Sequence, residues 1–174
     1  MNGRKRVDLV HIELVKDKTI LYEGSDVQKR KIKHAEDVIR LTSSFFEKAD
    51  REKFYVIALN GAMEPTNISL AFMGGMAECR VYIPEIFKTA ILSNASHIIC
   101  IHNHPSGNTE PSEEDKMVTL RLQFAGKMLG ILLQDHIIIG EDDTYYSFQE
   151  AGVIAEGEWV LEQEETATNK DLAS

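Results

Sequence analysis

Two histidines and an aspartate carry the clearest chemistry in this chain. They lie in the stretch HIICIHNHPSGNTEPSEED, residues 97–115. His102 and His104 are two apart at the end of an apolar run, and residues i and i+2 of an extended chain face the same way. Both imidazoles can therefore meet at one point without any special loop. Asp115 falls in the first turn of the next predicted helix, so the loop can return its carboxylate to the strand end. Two His and one Asp are ligand types that zinc takes. Three of them leave a fourth position for water, which is the catalytic rather than the structural pattern. The spacing predicts one zinc ion on His102, His104 and Asp115, used to activate water for hydrolysis.

A His-x-His pair alone says little, because isolated pairs are more often solvated or core histidines. The surrounding residues add the weight. Pro105 and Gly107 turn the chain sharply after the ligands. Ser112 is a good N-cap, with Glu113, Glu114 and Asp115 in the first turn of its helix. Other groups carry less. Cys100 shares a strand face with His102, but a thiol in an apolar strand is ordinarily a small buried hydrophobe. His136 follows Asp135 and reads either as a support for the site or as a core or edge histidine. His11, His34 and His97 have no identifiable partner.

The elements needed to position these residues can be read around them. Residues 97–102 form a buried-looking strand, followed by a polar loop over 103–111. A helix runs from Ser112 to about Leu129, where Gly130 ends it. Residues 131–139 form the next strand, 140–143 a turn, and 145–148 a last strand. Earlier in the chain, alternation predicts a strand over 7–15, turned by Lys16-Asp17-Lys18 into 19–22. Apolar residues at helical spacing predict a helix over 26–49. A strand over 54–59 closes at Asn60-Gly61. Further strands are expected over 68–72 and 78–83, around Gly74-Gly75. Pro84 then opens a helix to about Asn94. Strands alternating with helices predict an α/β domain, and the hairpins imply a mixed central sheet flanked by helices.

Bulk composition sets the boundaries. The 174 residues are 43% hydrophobic and 27% charged, the balance of one globular domain. A domain over 1–155 is expected, with an acidic, flexible tail over 156–174. No apolar run approaches the roughly 18 residues of a membrane span. The first residues lack an apolar signal region, and two cysteines point to a reducing cytoplasm. The net charge of −9 argues against direct nucleic-acid binding. The basic cluster Lys29-Arg30-Lys31 with Lys33 reads as a solvated helix face.

The metal motif resembles the JAMM (MPN+) signature: His-x-His, seven residues, Ser, two residues, Asp. Here these are His102, His104, Ser112 and Asp115. HNHPSG followed by PSEED resembles the RadC-like JAB branch of that family, as do LLQDHIIIG and SFQEAG further on. The resemblance covers about residues 26–152. It implies a three-layer fold like that of JAMM and cytidine-deaminase-type domains. It also implies an upstream glutamate at the start of the strand after the long helix. Glu52 in DREKFYVIALN has that place, ahead of Glu47 and Glu64. On chemistry alone Glu52 would read as a surface residue. The resemblance makes it the base that takes the proton from water and passes it to the leaving amine. It likewise makes Ser112 a stabiliser of the oxyanion.

The implied activity is zinc-dependent hydrolysis of an amide, in a peptide or an isopeptide-linked protein. The chain departs from the branch at Gly74-Gly75, where Gly-Thr is usual, and in lacking an Arg beside Pro84-Glu85. Longer RadC-like proteins carry a helix-hairpin-helix segment ahead of this domain. None is expected here, so the family's link with DNA repair is not carried over. Two rivals stand beside the hydrolase: a non-catalytic, metal-stabilised module that docks a partner, and a DNA-repair-associated accessory protein. The binuclear pattern His-x-His-x-Asp-His fails because Ser106 and Gly107 follow Pro105. A deaminase would want paired cysteine ligands, and Cys79 and Cys100 have the wrong spacing.

Overall fold

The computed structural model describes residues 11, 13–20, 31–74 and 81–154. Among them five strands form one mixed sheet in the order β2-β1-β3-β4-β5. The chain runs α1 (Ala35–Thr42), β1 (Lys53–Leu59), β2 (Pro65–Met73), α2 (Ile83–Leu92), β3 (His97–Asn103), α3 (Glu113–Leu129), β4 (Leu132–Ile139) and β5 (Tyr145–Ser147). β1 pairs antiparallel with both β2 and β3. β3 and β4 are parallel, and β5 returns antiparallel to β4. A parallel pair needs a long crossover, which α3 supplies. The expected α/β architecture, a mixed sheet flanked by helices, is the one observed.

Strand alternation sorts the core into two layers. Phe54, Val56 and Ala58 of β1 and Ile98 and Cys100 of β3 face α2 and α3, where Ile86, Phe87, Ala90, Val118 and Leu122 meet them. Ile57, Leu59, Ile99, Ile101, Ile137 and Ile139 face α1, against Ala35, Val38, Ile39 and Leu41. The strands β1, β3 and β4 are thus buried on both sides. Their near-continuous apolar runs suit that position.

Several boundaries differ from the expectations. The helix expected over 26–49 is a regular α-helix only over Ala35–Thr42, continued by a 3-10 turn at Ser43–Phe45. Its start is fixed by Asp37, whose carboxylate accepts from the backbone N–H groups of Lys33 and His34. Such a reciprocal cap ends the helix on its N-terminal side. Its far end gives way where Phe45 and Phe46 turn to pack on Tyr55. Residues 26–30 lie outside those described. The first strand fares differently. Residues 13–15 and 19–20 are exposed and have no regular structure, and none of the described strands pairs with them; 7–10, 12 and 21–22 lie outside the described set. Of the strand expected over 78–83, Val81 and Tyr82 are irregular and Ile83 already begins α2. Pro84 sits in that first turn, where a missing N–H costs nothing. Cys79 and the tail over 156–174 lie outside the described residues. No helix among the described residues is long and apolar enough to cross a membrane.

Candidate metal centre

β3 delivers both histidines. His102 is fully buried on the face toward α3, and His104 follows the strand end with its side chain 17% exposed. Their Nε2 atoms stand 3.1 Å apart. α3 brings Asp115 from its first turn, and the cap fixes its height. Ser112 Oγ accepts from the Asp115 N–H at 3.1 Å, while the Asp115 carboxylate accepts from the Ser112 N–H at 2.8 Å. This is a capping box. The carboxylate thereby faces both rings, with Oδ1 3.1 Å from His102 Nε2 and Oδ2 3.4 Å from His104 Nε2. One ligand atom from each of the three residues lies within 4.8 Å of the others.

These residues fit a divalent cation. Asp115 Oδ1 is buried and has no hydrogen-bond donor among the described residues. His104 Nδ1 lies 2.7 Å from the Asn108 carbonyl, which can only accept, so the ring proton belongs on Nδ1 and the Nε2 lone pair is left bare. A carboxylate oxygen and facing imidazole nitrogens form an electron-rich cluster with an accessible side at His104. Electrostatics follow the geometry. Burial opposes ionisation of Asp115, but the two rings and the Ser112 hydroxyl outweigh it and hold the carboxyl well below its usual range. Burial lowers His102, and the nearby Asp115 only partly offsets this. Asp115 raises His104.

Glu52 comes in from β1. It precedes the strand by one residue, and Phe54, two further on, is the register partner of His102. The i, i+2 relation puts Glu52 on the site's face. The residue is 5% exposed and its Oε1 is 4.0 Å from His102 Nε2. The weaker candidates are elsewhere: Glu47 is exposed and Glu64 accepts from the Asn60 side chain. Ser112 sits exposed at the rim. Its hydroxyl donates to Asp115 Oδ2 at 2.6 Å, so its proton is engaged in the cap.

Three residues that sequence reasoning left unassigned or undecided complete the setting. Asn103, between the two histidines, points to the opposite face. Its Oδ1 accepts from the Lys53 N–H at 2.9 Å and its Nδ2 donates to the Arg51 carbonyl at 3.2 Å. His136 of β4 is fully buried, with its Nε2 3.0 Å from His102 Nδ1. Thr119, one turn after Asp115 on α3, lies 2.7 Å from His136 Nδ1. The available signals were positional: Asn103 alternates with the ligands, and Thr119 shares Asp115's helix face. Cys100 lies in the core, where burial pushes its thiol up. A neutral thiol is an inert one.

Comparison with known proteins points one way. A model of the RadC-like JAB domain matches residues 32–153. A UPF0758 protein of Shouchella clausii is 40% identical over 124 residues, which are 71% of this chain and 54% of that protein. One from Halalkalibacterium halodurans is 38% identical over 132 residues, 76% of this chain and 56% of its own length. One from Actinobacillus pleuropneumoniae is 34% identical over 151 residues, covering 86% and 68%. The chain thus spans little more than half the length of the first two of these relatives.

Proposed function

This chain belongs to the RadC-like JAB domain family, and from that premise we propose that it is a zinc-dependent hydrolase of the JAMM type, cleaving an amide bond in a peptide or isopeptide-linked protein. The observation that carries the reading is the convergence of His102, His104 and Asp115 at one point. The three residues would hold one zinc ion. When bound, zinc would polarise a carbonyl and lower the pKa of water to about 7.

The chain's own groups account for the rest. Glu52, buried on the same face and 4.0 Å from His102 Nε2, takes a proton from the attacking water and returns it to the leaving amine. Its burial keeps competing solvent away from that proton. Ser112 stands at the exposed rim, where a substrate can reach it. To steady an oxyanion it must turn its hydroxyl away from Asp115 Oδ2, which keeps the Ser112 N–H as a partner. The substrate enters from the open side at His104.

The test joins metal content with turnover. Zinc-loaded protein is assayed on a quenched-fluorescent peptide library and an isopeptide-linked probe. His104→Ala should lose zinc by elemental analysis, and unchanged stoichiometry would sink the ligand set. Glu52→Gln should keep zinc and lose turnover; retained turnover would remove Glu52 as the base. Zinc uptake without hydrolysis of any probe would favour the partner-docking module.

A further inference from the structure

The buried hydrogen bonds behind His102 have a direction, and that direction bears on the metal. Thr119 Oγ1 lies 2.7 Å from the Asp115 backbone carbonyl and 2.7 Å from His136 Nδ1. His136 Nε2 in turn lies 3.0 Å from His102 Nδ1. A carbonyl oxygen accepts and never donates, and a hydroxyl has one proton to give. If Thr119 donated to His136 instead, two oxygen lone pairs would face each other at 2.7 Å. The hydroxyl proton therefore goes to the Asp115 carbonyl, and Thr119 accepts from His136 Nδ1–H. A neutral imidazole with its proton on Nδ1 has a bare Nε2. That atom accepts from His102 Nδ1–H, which leaves the His102 Nε2 lone pair aimed into the site.

Among the described residues nothing else reaches these buried groups to supply the bonds. His102 and His136 are 0% exposed and Thr119 is 1% exposed. The His136 ring is stacked on Phe148 at 5.0 Å with an interplanar angle of 10°, and the Phe54 ring lies tilted against it at 5.4 Å. Such a box resists ring rotation, and a fully buried ring with aromatic neighbours disfavours the charged form. Both ends of the chain also lie in the ligand set. One is the Asp115 main chain and the other is the His102 ring, so the same bonds tie α3 to β3.

We propose that Thr119 and His136 are positioning residues whose hydrogen bonds fix the tautomer of His102 and present its Nε2 to a divalent metal ion. The inference rests on the proposed ligand set and adds two residues to its support. Removing an outer partner of a ligating histidine typically lowers metal affinity by roughly 10–100-fold.

The decisive measurements are zinc affinity and ring-nitrogen NMR. Chelator competition gives the Kd of the wild type, His136→Gln, His136→Phe, Thr119→Ser and Thr119→Val. The Phe and Val variants should bind zinc more weakly, by about 10–100-fold for His136→Phe. Gln and Ser should recover most of the loss, because each restores a polar partner in place. Wild-type affinity in folded His136→Phe, checked by circular dichroism, would overturn the proposal and leave the ligand set standing. Absence of stoichiometric zinc in the wild type would overturn both. Should the His136 variants fail to fold, ¹⁵N spectra of zinc-loaded wild type decide alone. The proton of His136 is expected on Nδ1, and a proton on Nε2 would overturn the assignment.

Discussion

Asn103 brackets Glu52: its carboxamide accepts from the backbone N–H of Lys53 and donates to the carbonyl of Arg51, the two residues on either side of the glutamate. A side chain on one face of the sheet thus fixes the main chain on either side of a residue whose own side chain lies on the other. The strand carrying the candidate metal ligands and the segment that leads into β1 through Glu52 are held in register by this clamp as well as by the ladder between β1 and β3.

Asn103→Ala should therefore separate metal binding from catalysis. The ligands His102, His104 and Asp115 stay in place, so zinc stoichiometry by elemental analysis is unchanged. Glu52 loses its anchor, and a displacement of about 1 Å lowers turnover by roughly 10²-fold. Leaving the Lys53 N–H without its partner costs about 1–3 kcal/mol of stability. Full turnover in this variant would show that the strand ladder alone positions Glu52.

Zinc should stabilise the folded chain measurably. Free zinc at about 100 times its Kd adds about 2.7 kcal/mol if only the folded state binds. For a domain of this size that raises the melting temperature by roughly 5–10 °C. Differential scanning fluorimetry with and without zinc reads the shift directly. His104→Ala and Asp115→Asn should melt alike under both conditions. A zinc shift that survives either substitution would place the ion elsewhere.

The candidate metal-binding stretch was legible because short-range rules determine it. The i, i+2 relation of His102 and His104, and the cap at Ser112 and Asp115, depend on residues close in sequence, and both hold. Glu52 was legible only through family resemblance. Its position depends on β1 pairing with β3, a relation between residues 50 apart that no local pattern encodes. The same reason hid the roles of Asn103 and Thr119 and left His136 undecided. Where local pattern misled, tertiary context won. Alternation around residues 13–15 finds no pairing partner among the described strands, and the helical spacing before Ala35 yields to the Asp37 cap.

Asp135 should make stability depend on pH. Burial raises its carboxyl to about 6, against the stabilising bonds from Ser147, Gln149 and His136. The folded state then binds more protons than the unfolded state between about pH 4 and 6, so stability falls as pH rises through that window. The loss approaches about 3 kcal/mol at neutral pH, from the size of the shift. Asp135→Asn keeps the same shape and has no such titration. Urea melts of both proteins at pH 4 and 7 should show a gap that opens only at the higher pH, with the Asn variant the more stable. Equal stability at both values would show that Ser147 and the two N–H groups fully compensate the buried charge.

Gly140 is required by the loop that carries His104. A Cβ there would lie 2.6 Å from the Gly107 carbonyl oxygen and 2.7 Å from Thr109 Cγ2, closer than real contacts allow. Gly140→Ala must push the 104–111 loop away from the end of β4, at a cost of about 1–3 kcal/mol. Gly61→Ala is the control, since a Cβ at Gly61 meets nothing within 4 Å. Chemical denaturation should show a loss for Gly140→Ala only, accompanied by weaker zinc binding. Unaltered stability of Gly140→Ala would mean that the loop moves aside freely.

Ser112 combines two tasks that a substitution pair can split. Its oxygen caps α3 by accepting from the Asp115 N–H, and its proton goes to Asp115 Oδ2. Ser112→Ala removes both, costing about 1 kcal/mol as a lost cap and, if the hydroxyl steadies the oxyanion, about 10²–10³-fold in turnover. Ser112→Asn keeps a capping oxygen but puts a larger amide at the rim. Thermal melts should find it near wild-type stability. Steady-state assays should find it as slow as Ser112→Ala, because the small hydroxyl donor is gone. If turnover follows the cap and recovers in Ser112→Asn, the serine serves catalysis only by holding Asp115.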